Sequence, residues 1–345
     1  MSASPLIRRA APPVGVLAVL LALAPAASAA RVDLAGGDTN VRVDRGTLSA
    51  VTGAGIAIAP TGAAKTSGRR VRFPITGGRL DPATGAGTVN HRGGLRFSRS
   101  GRSLELTRFR IQGRFLSALA GGDRVRILRL RAGAAVVRRT ATTTTVSGVR
   151  LELTRAAARA LNATLGTSVF ARGTVLGTAR VHARLAELFV EDGSTSLAVD
   201  PGAASALASQ GIVPGLIAPA SANSDGSLAF PITRGRVDAQ TFTGLIRHSG
   251  GLSLTKGQTR VELTRFDIGI DGTPQLTALV GGSRVPILDL DLAGLTQNID
   301  GLDVTLGNVR ATLTAQAAAA LNQAFGTTAF SEGLLLGVAT VRAEL

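Results

Sequence analysis

Two histidines stand out among the residues able to do chemistry. His91 opens the run His91-Arg92-Gly93-Gly94-Leu95, and His248 opens His248-Ser249-Gly250-Gly251-Leu252. One residue separates each from a Gly-Gly hairpin, at a loop or strand end where ligand groups are often carried. A neutral imidazole in that place can ligate a haem iron or a metal. It can equally donate a ring N–H to a carbonyl of the turn and serve the hairpin alone. The sequence leaves both readings open, and no partner ligand accompanies either histidine.

Other chemistry finds less support. His248 and Ser249 are neighbours, but adjacent strand residues point to opposite faces, and the other run has Arg92 where this one has Ser. There is no G-x-S-x-G elbow. Glu105 and Glu262 each stand alone in a strand without a second carboxylate nearby, so acid–base catalysis is not expected. The chain has no cysteine, which excludes disulfides, metal thiolates and a thiol nucleophile. A non-enzymatic protein without a metal centre is expected.

The elements that must position these residues are written twice. Phe73-Pro74-Ile75-Thr76 returns as Phe230-Pro231-Ile232-Thr233, and Glu105-Leu106-Thr107-Arg108-Phe109 as Glu262-Leu263-Thr264-Arg265-Phe266. Further on, Leu161-Asn162 reappears as Leu321-Asn322. A repeat this long exceeds the roughly 20–50 residues of solenoid units, so each copy is expected to be a complete domain, 39–185 and 195–345. In the second copy Asp200-Pro201 opens a short helix that Gly211 stops. Short apolar runs with turn residues between them follow, read as strands over 242–248, 252–255, 260–268, 285–292, 302–306 and 308–313. The alternation slips at Thr264-Arg265, and likewise at Thr107-Arg108, which predicts a bulge in both copies. Thr314 caps a helix over 315–325 that Gly326 closes, and a last strand covers 334–344. The Ala-rich 156–161 and 317–321 read as tightly packed helices, and Thr140 to Thr145 as an edge strand. Asn162-Ala163-Thr164 matches a glycosylation sequon but falls within a helix. The expected fold is all-β: two tandem β-sandwich-like or partly closed barrel domains, each with two short helices.

Residues 1–30 read as a secretory signal peptide. Arg8 and Arg9 precede the apolar run 14–23, and Ala27-Ser28-Ala29 offers a cleavage site. The apolar core is too short to span a bilayer, so an exported protein without a transmembrane anchor is expected. The net charge of +16 is uneven. Residues 31–185 hold 27 basic and 7 acidic side chains, whereas 186–345 hold 9 and 15. A basic first copy can attract an anionic envelope component or porphyrin propionates. Nucleic acid is not expected, because neither interleaved aromatics nor a reader motif is present. In one strand Arg129-Leu130-Arg131 aligns with Asp289-Leu290-Asp291, so the same outward face is cationic in one copy and anionic in the other. These are either solvated faces or surfaces that orient the domains, or successive molecules, against each other.

At Phe230-Pro231, Gly244-x-x-x-His248-x-Gly250-x-Leu252, Leu313-Thr314 and Phe330-x-x-Gly333, the unit resembles the HtaA domain. The resemblance implies an exported, actinobacterial, β-rich module that binds haem or haemoproteins, with His248 and His91 at the family's histidine. The family's tyrosines are missing. Phe170 and Phe330 stand at one of their positions, and the opening helix is Ala, Leu and Ser at the other. A phenolate is an anionic iron ligand that a phenyl ring cannot replace. Two expectations follow: haem held through His91 or His248, or a structural, adhesive surface module that has kept the fold and lost the ligand.

Overall fold

Eight strands per repeat run up and down in sequence order, and the last pairs with the first. A computed structural model describes residues 31–345, so the expected signal peptide lies outside the described residues. In the first repeat the strands are β1 (Val32–Val43), β2 (Arg70–Leu80), β3 (Gly87–His91), β4 (Arg102–Gln112), β5 (Phe115–Ala120), β6 (Asp123–Arg131), β7 (Thr143–Leu153) and β8 (Val175–Leu185). Every neighbour pair is antiparallel, and β8 returns to β1, with Thr39 opposite Val181. The second repeat closes in the same way through β9 (Asp192–Val199), β10 (Leu228–Asp238), β11 (Gly244–His248), β12 (Thr259–Gly269), β13 (Gln275–Val280), β14 (Ser283–Asp291), β15 (Asp303–Leu313) and β16 (Leu335–Glu344). Of the arrangements expected from sequence, both repeats take the barrel, fully closed. Closure leaves no sheet edge in the ring.

Period-two patterning sets which side faces in. Along β8, Ala179, Val181, Ala183 and Leu185 are buried while Thr178, Arg180 and Arg184 are exposed. Small residues alternate with branched ones, as a narrow barrel requires. Helices α1 (Arg45–Gly53) and α2 (Arg155–Leu165) belong to the first barrel, and α3 (Pro201–Ser209) and α4 (Ala315–Phe325) to the second. Thr314 Oγ1 caps α4 at Ala317 N, and Gly326 ends it at φ 59°. Between the repeats, Glu187–Val190 is itself a strand that pairs with β10.

Three details depart from the sequence reading. The strands expected over 302–306 and 308–313 are one strand, β15, bulged where Asn308 takes φ 60°. The Thr-rich tract is not an edge: Thr144 is fully buried in the wall strand β7 and donates to Pro82 O at 3.3 Å. Strands β9 and β13 were not expected, although turn residues flank both: Asp192-Gly193 and Asp200-Pro201 bound β9, and Gly272 to Pro274 and Gly281-Gly282 bound β13.

The Gly-Gly pairs have a steric cause. A flap strand from each repeat, Ala57–Thr61 or Val213–Ile217, pairs with the strand that follows the hairpin, Gly94–Arg99 or Gly251–Lys256. Gly93 (φ 88°) and Gly250 (φ 81°) sit against the next turn of the flap. A Cβ would lie 2.4 Å from Ala64 N in one copy and 2.6 Å from Ala220 N in the other. Gly250→Ala should therefore cost roughly 2 kcal/mol or more through clash and positive φ together. Urea denaturation of the variant checks this, and a loss near zero would show that the flap yields freely.

Candidate functional site

His91 and His248 occupy the same place in their barrels, and both are buried, each 4% exposed. His91 ends β3. Its Nδ1 lies 3.1 Å from Phe109 O on β4, and its Nε2 lies 2.7 Å from Thr39 Oγ1 on β1. His248 repeats this, with Phe266 O at 3.1 Å and Thr195 Oγ1 at 2.7 Å. A carbonyl only accepts, so Nδ1 carries the proton. Nε2 must then be the acceptor, and the threonine hydroxyl donates to it. Each imidazole is thus a neutral Nδ1–H tautomer with both nitrogens engaged. The accepting carbonyl belongs to the neighbouring wall strand, not to the turn the sequence pointed to.

The bulge expected at Thr107-Arg108 delivers that carbonyl. Register shifts between Thr107 and Arg110, and Arg108 takes φ 49°; Arg265 takes φ 51° in the second copy. The next residue turns inward. Phe109 meets Phe73 edge-on, with ring centroids 4.9 Å apart, and Phe266 meets Phe230 at 5.0 Å. Phe-Pro, the His hairpin and the Glu-Leu-Thr-Arg-Phe strand, the runs that are most alike in the two copies, therefore converge on one knot.

Phe170 and Phe330 are held by an asparagine that the sequence reading used to count the period and, in the first copy, as a sequon within a helix. Asn162 Nδ2 donates to Phe170 O at 2.8 Å, and Asn162 Oδ1 accepts from Phe170 N at 3.1 Å. Asn322 and Phe330 do the same at 2.7 and 3.1 Å. The return of Leu-Asn in both copies was the available signal. A third histidine, His182, went unread from the sequence. It is half-buried, with Nδ1 2.9 Å from Thr145 Oγ1.

The charged faces lie on β6 and β14. Arg131 Nε bonds Glu152 Oε2 at 2.9 Å, and Arg129 stands opposite Glu152 in register. The hydrogen bond from Arg131 is the largest influence holding the Glu152 carboxyl below the usual carboxylate range. Asp289 accepts from Gln275 Nε2 at 2.8 Å, and Asp291 stands opposite Arg310. Each set is matched by its own sheet, and among the described residues no ion pair joins one set to the other. Among those residues, no three His, Asp or Glu side chains gather as for a metal.

Both barrels enclose apolar space. The cavity of the first is about 130 Å³ and includes His91 in its wall. That of the second is about 320 Å³, walled by Leu, Ile, Val, Phe and Ala, with Thr195 and Thr241 as its polar residues.

No family model matches the chain, and no curated protein does. Solved structures do. One is the C-terminal domain of HtaA from Corynebacterium glutamicum, at 15% identity and a TM-score of 0.36, over 45% of this chain and 99% of that one. The chain is similar to HtaA domains. A domain-swapped dimer variant of the same domain matches at 16% identity and a TM-score of 0.31, over 41% of this chain and 90% of that one. The haem-binding protein HtaB from the same organism matches at 11% identity and 0.29, over 46% and 95%. The matched share of this chain is about the length of one HtaA-like repeat.

Haem fits the two histidines poorly as they stand. The one lone pair free of a proton, on Nε2, is taken by a threonine hydroxyl inside the wall. The cavity beside His91 is well below the roughly 300–1,000 Å³ of pockets for drug-sized ligands. Burial pushes both histidines down to about 4 from 6.5, against the opposing pull of the Phe109 and Phe266 carbonyls. With the folded value lowered, the unfolded chain binds protons that the native one refuses. The stabilisation is full above pH ~6.5, is lost as pH falls toward 4, and changes no further below that. The loss is at most on the order of 3 kcal/mol per histidine. Urea unfolding between pH 7.5 and 4 should show this slope, and His91→Gln with His248→Gln should flatten it. An equal slope in the double variant would place the pH dependence on carboxylates alone.

Proposed function

We propose that the chain is an exported, non-enzymatic binding module of the cell envelope that keeps the HtaA-like barrel without holding haem through histidine. The observation that carries this reading is the engagement of both nitrogens of His91 and of His248 by wall partners, identically in the two copies. A residue reserved for iron keeps a lone pair facing the ligand site, whereas these face a hydroxyl. Phe170 and Phe330, buried and pinned by Asn162 and Asn322, supply no anionic ligand. A binding role is favoured over catalysis because Glu105 is matched to Arg96 at 3.0 Å and Glu262 to Arg260 at 2.8 Å, each on the barrel exterior. No helix among the described residues is long and apolar enough to cross a membrane.

A haemin titration followed in the Soret region tests this. The expected outcome is at most a broad, weak absorbance change, the same in the wild type and in the His91→Gln, His248→Gln variant. A sharp Soret shift that disappears in the variant would restore imidazole ligation and overturn the reading. Circular dichroism of the variant confirms that the barrels have formed.

A further inference from the structure

The two interiors differ at many positions, and at two of them the second barrel has lost bulk. Phe97 in the first barrel corresponds to Leu254 in the second, and Leu151 to Ala311. All four line their cavities. Part of the wall is the same in both: Phe73 and Phe230, Leu106 and Leu263, Phe109 and Phe266, Phe170 and Phe330. These truncations open space in the second barrel, where the cavity is about 320 Å³ against about 130 Å³, even though Leu197, Leu207, Leu228 and Phe242 stand where the first has Val41, Val51, Val71 and Gly85. Apolar cavities of roughly 150 Å³ stay dry and take up benzene, and closed eight-strand barrels can hold one small ligand.

The closure of the helical end differs as well. In the first barrel Arg99 is a staple: its Nε donates to Ala54 O at the end of α1, at 2.8 Å, and its Nη1 to Leu165 O at the end of α2, at 3.2 Å. A guanidinium fork can span two helix ends, whereas an ammonium is a point donor. The second barrel has Lys256 there. Its Nζ donates to Phe325 O of α4 at 3.0 Å, and among the described residues it makes no bond to α3. Helix α3 is joined to the segment after α4 by one neutral contact, Thr327 Oγ1 to Gln210 Oε1 at 2.7 Å. It buries only Ala203, where α4 buries Ala317, Ala318, Leu321 and Phe325. Yet α3 forms part of the cavity wall through Ala203 and Leu207. Its flanks are apolar and open to solvent: Val199 is 38% exposed, Val213 65% and Leu216 38%. The matching first-repeat positions of the last two are Ala57 and Pro60.

We infer that the second barrel is a binding site for an acyl chain, entered past α3, with the first barrel closed to it. The wall offers dispersion and apolar burial only. Thr195, its buried hydroxyl, is committed to His248, so a charged head group stays outside while the chain goes in. The exposed apolar flanks of α3 suit a ligand that arrives from a lipid or micellar phase. This inference rests on the reading of the chain as a binding module, but not on the missing haem ligation. The two are separable, because a Soret band and acyl-chain uptake are independent signals.

The experiment uses the mature chain, Arg31–Leu345, and the fluorescent polyene parinaric acid. Wild type should enhance its fluorescence with one site per chain. Leu254→Phe with Ala311→Leu, which restores the first barrel's bulk at these two positions, should weaken binding at least tenfold. Ala311→Leu alone should lie between. Both variants should be as stable as wild type or more so, since cavity filling favours the fold. Repeating the titration with phosphatidylcholine vesicles carrying parinaroyl chains separates a free acid from a lipid tail as the source; uptake from either supports the site. Absence of uptake from both, two equal sites per chain, or unchanged affinity in the single and double variants would overturn it.

Discussion

One buried bridge organises each barrel: a threonine hydroxyl, a neutral imidazole and a backbone carbonyl in line across the wall. Thr39, His91 and the carbonyl of Phe109 come from β1, β3 and β4, so the bridge ties strands that are not all neighbours in the ring. Burying an imidazole is tolerable only when both nitrogens are satisfied. The bulge at Arg108 brings the Phe109 carbonyl within reach of Nδ1 and turns the phenyl ring onto Phe73. The glycines after the histidine let the flap strand press close enough to seal that end. Removing either hydrogen-bond partner leaves a polar atom stranded in an apolar interior, which costs about 1–3 kcal/mol. The same geometry recurs around His248.

With the wall fixed in this way, the repeats diverge inside and outside it. Outside, basic side chains dominate the first barrel and acidic ones the second, and each charged patch finds matches on its own sheet. Surface pairs such as Arg131 with Glu152 are each worth about 0–1 kcal/mol, so this divergence hardly touches stability. Inside, the loss of a phenyl ring and of a leucine side chain opens space that a purely structural core would fill. The knot around His248, on the wall, remains intact beside the opening. The bridge is the same in both repeats, while the interior differs between them.

Much of this was legible in the sequence. The duplication showed which runs matter, and those runs are the ones that meet at the bridge. Thr314 and Gly326 marked both ends of α4, because capping chemistry is local. The slip at Thr107-Arg108 marked the bulge, because period-two alternation breaks there. Closure was not legible. Whether β8 meets β1 depends on twist and stagger summed over eight strands, and no local run encodes that sum. The histidine's role was half legible: its burial is foreshadowed by the apolar alternation of Val89 and His91 along β3, but its partner Thr39 lies 52 residues away with no motif to mark it. The size of the second cavity was invisible for a similar reason. Leu254 and Ala311 look like ordinary core residues until the residues facing them are known.

The central claim concerns the protonation and partners of two imidazoles, and nitrogen NMR of the histidine-labelled protein reads both directly. His91 and His248 should each show a neutral ring with the proton on Nδ1, unchanged from pH 7.5 down to about pH 5. Adding haemin should leave both pairs of shifts in place. A proton on Nε2, titration near pH 6.5, or loss of the Nε2 signals on adding haemin would contradict the account, because each requires an imidazole free of the wall.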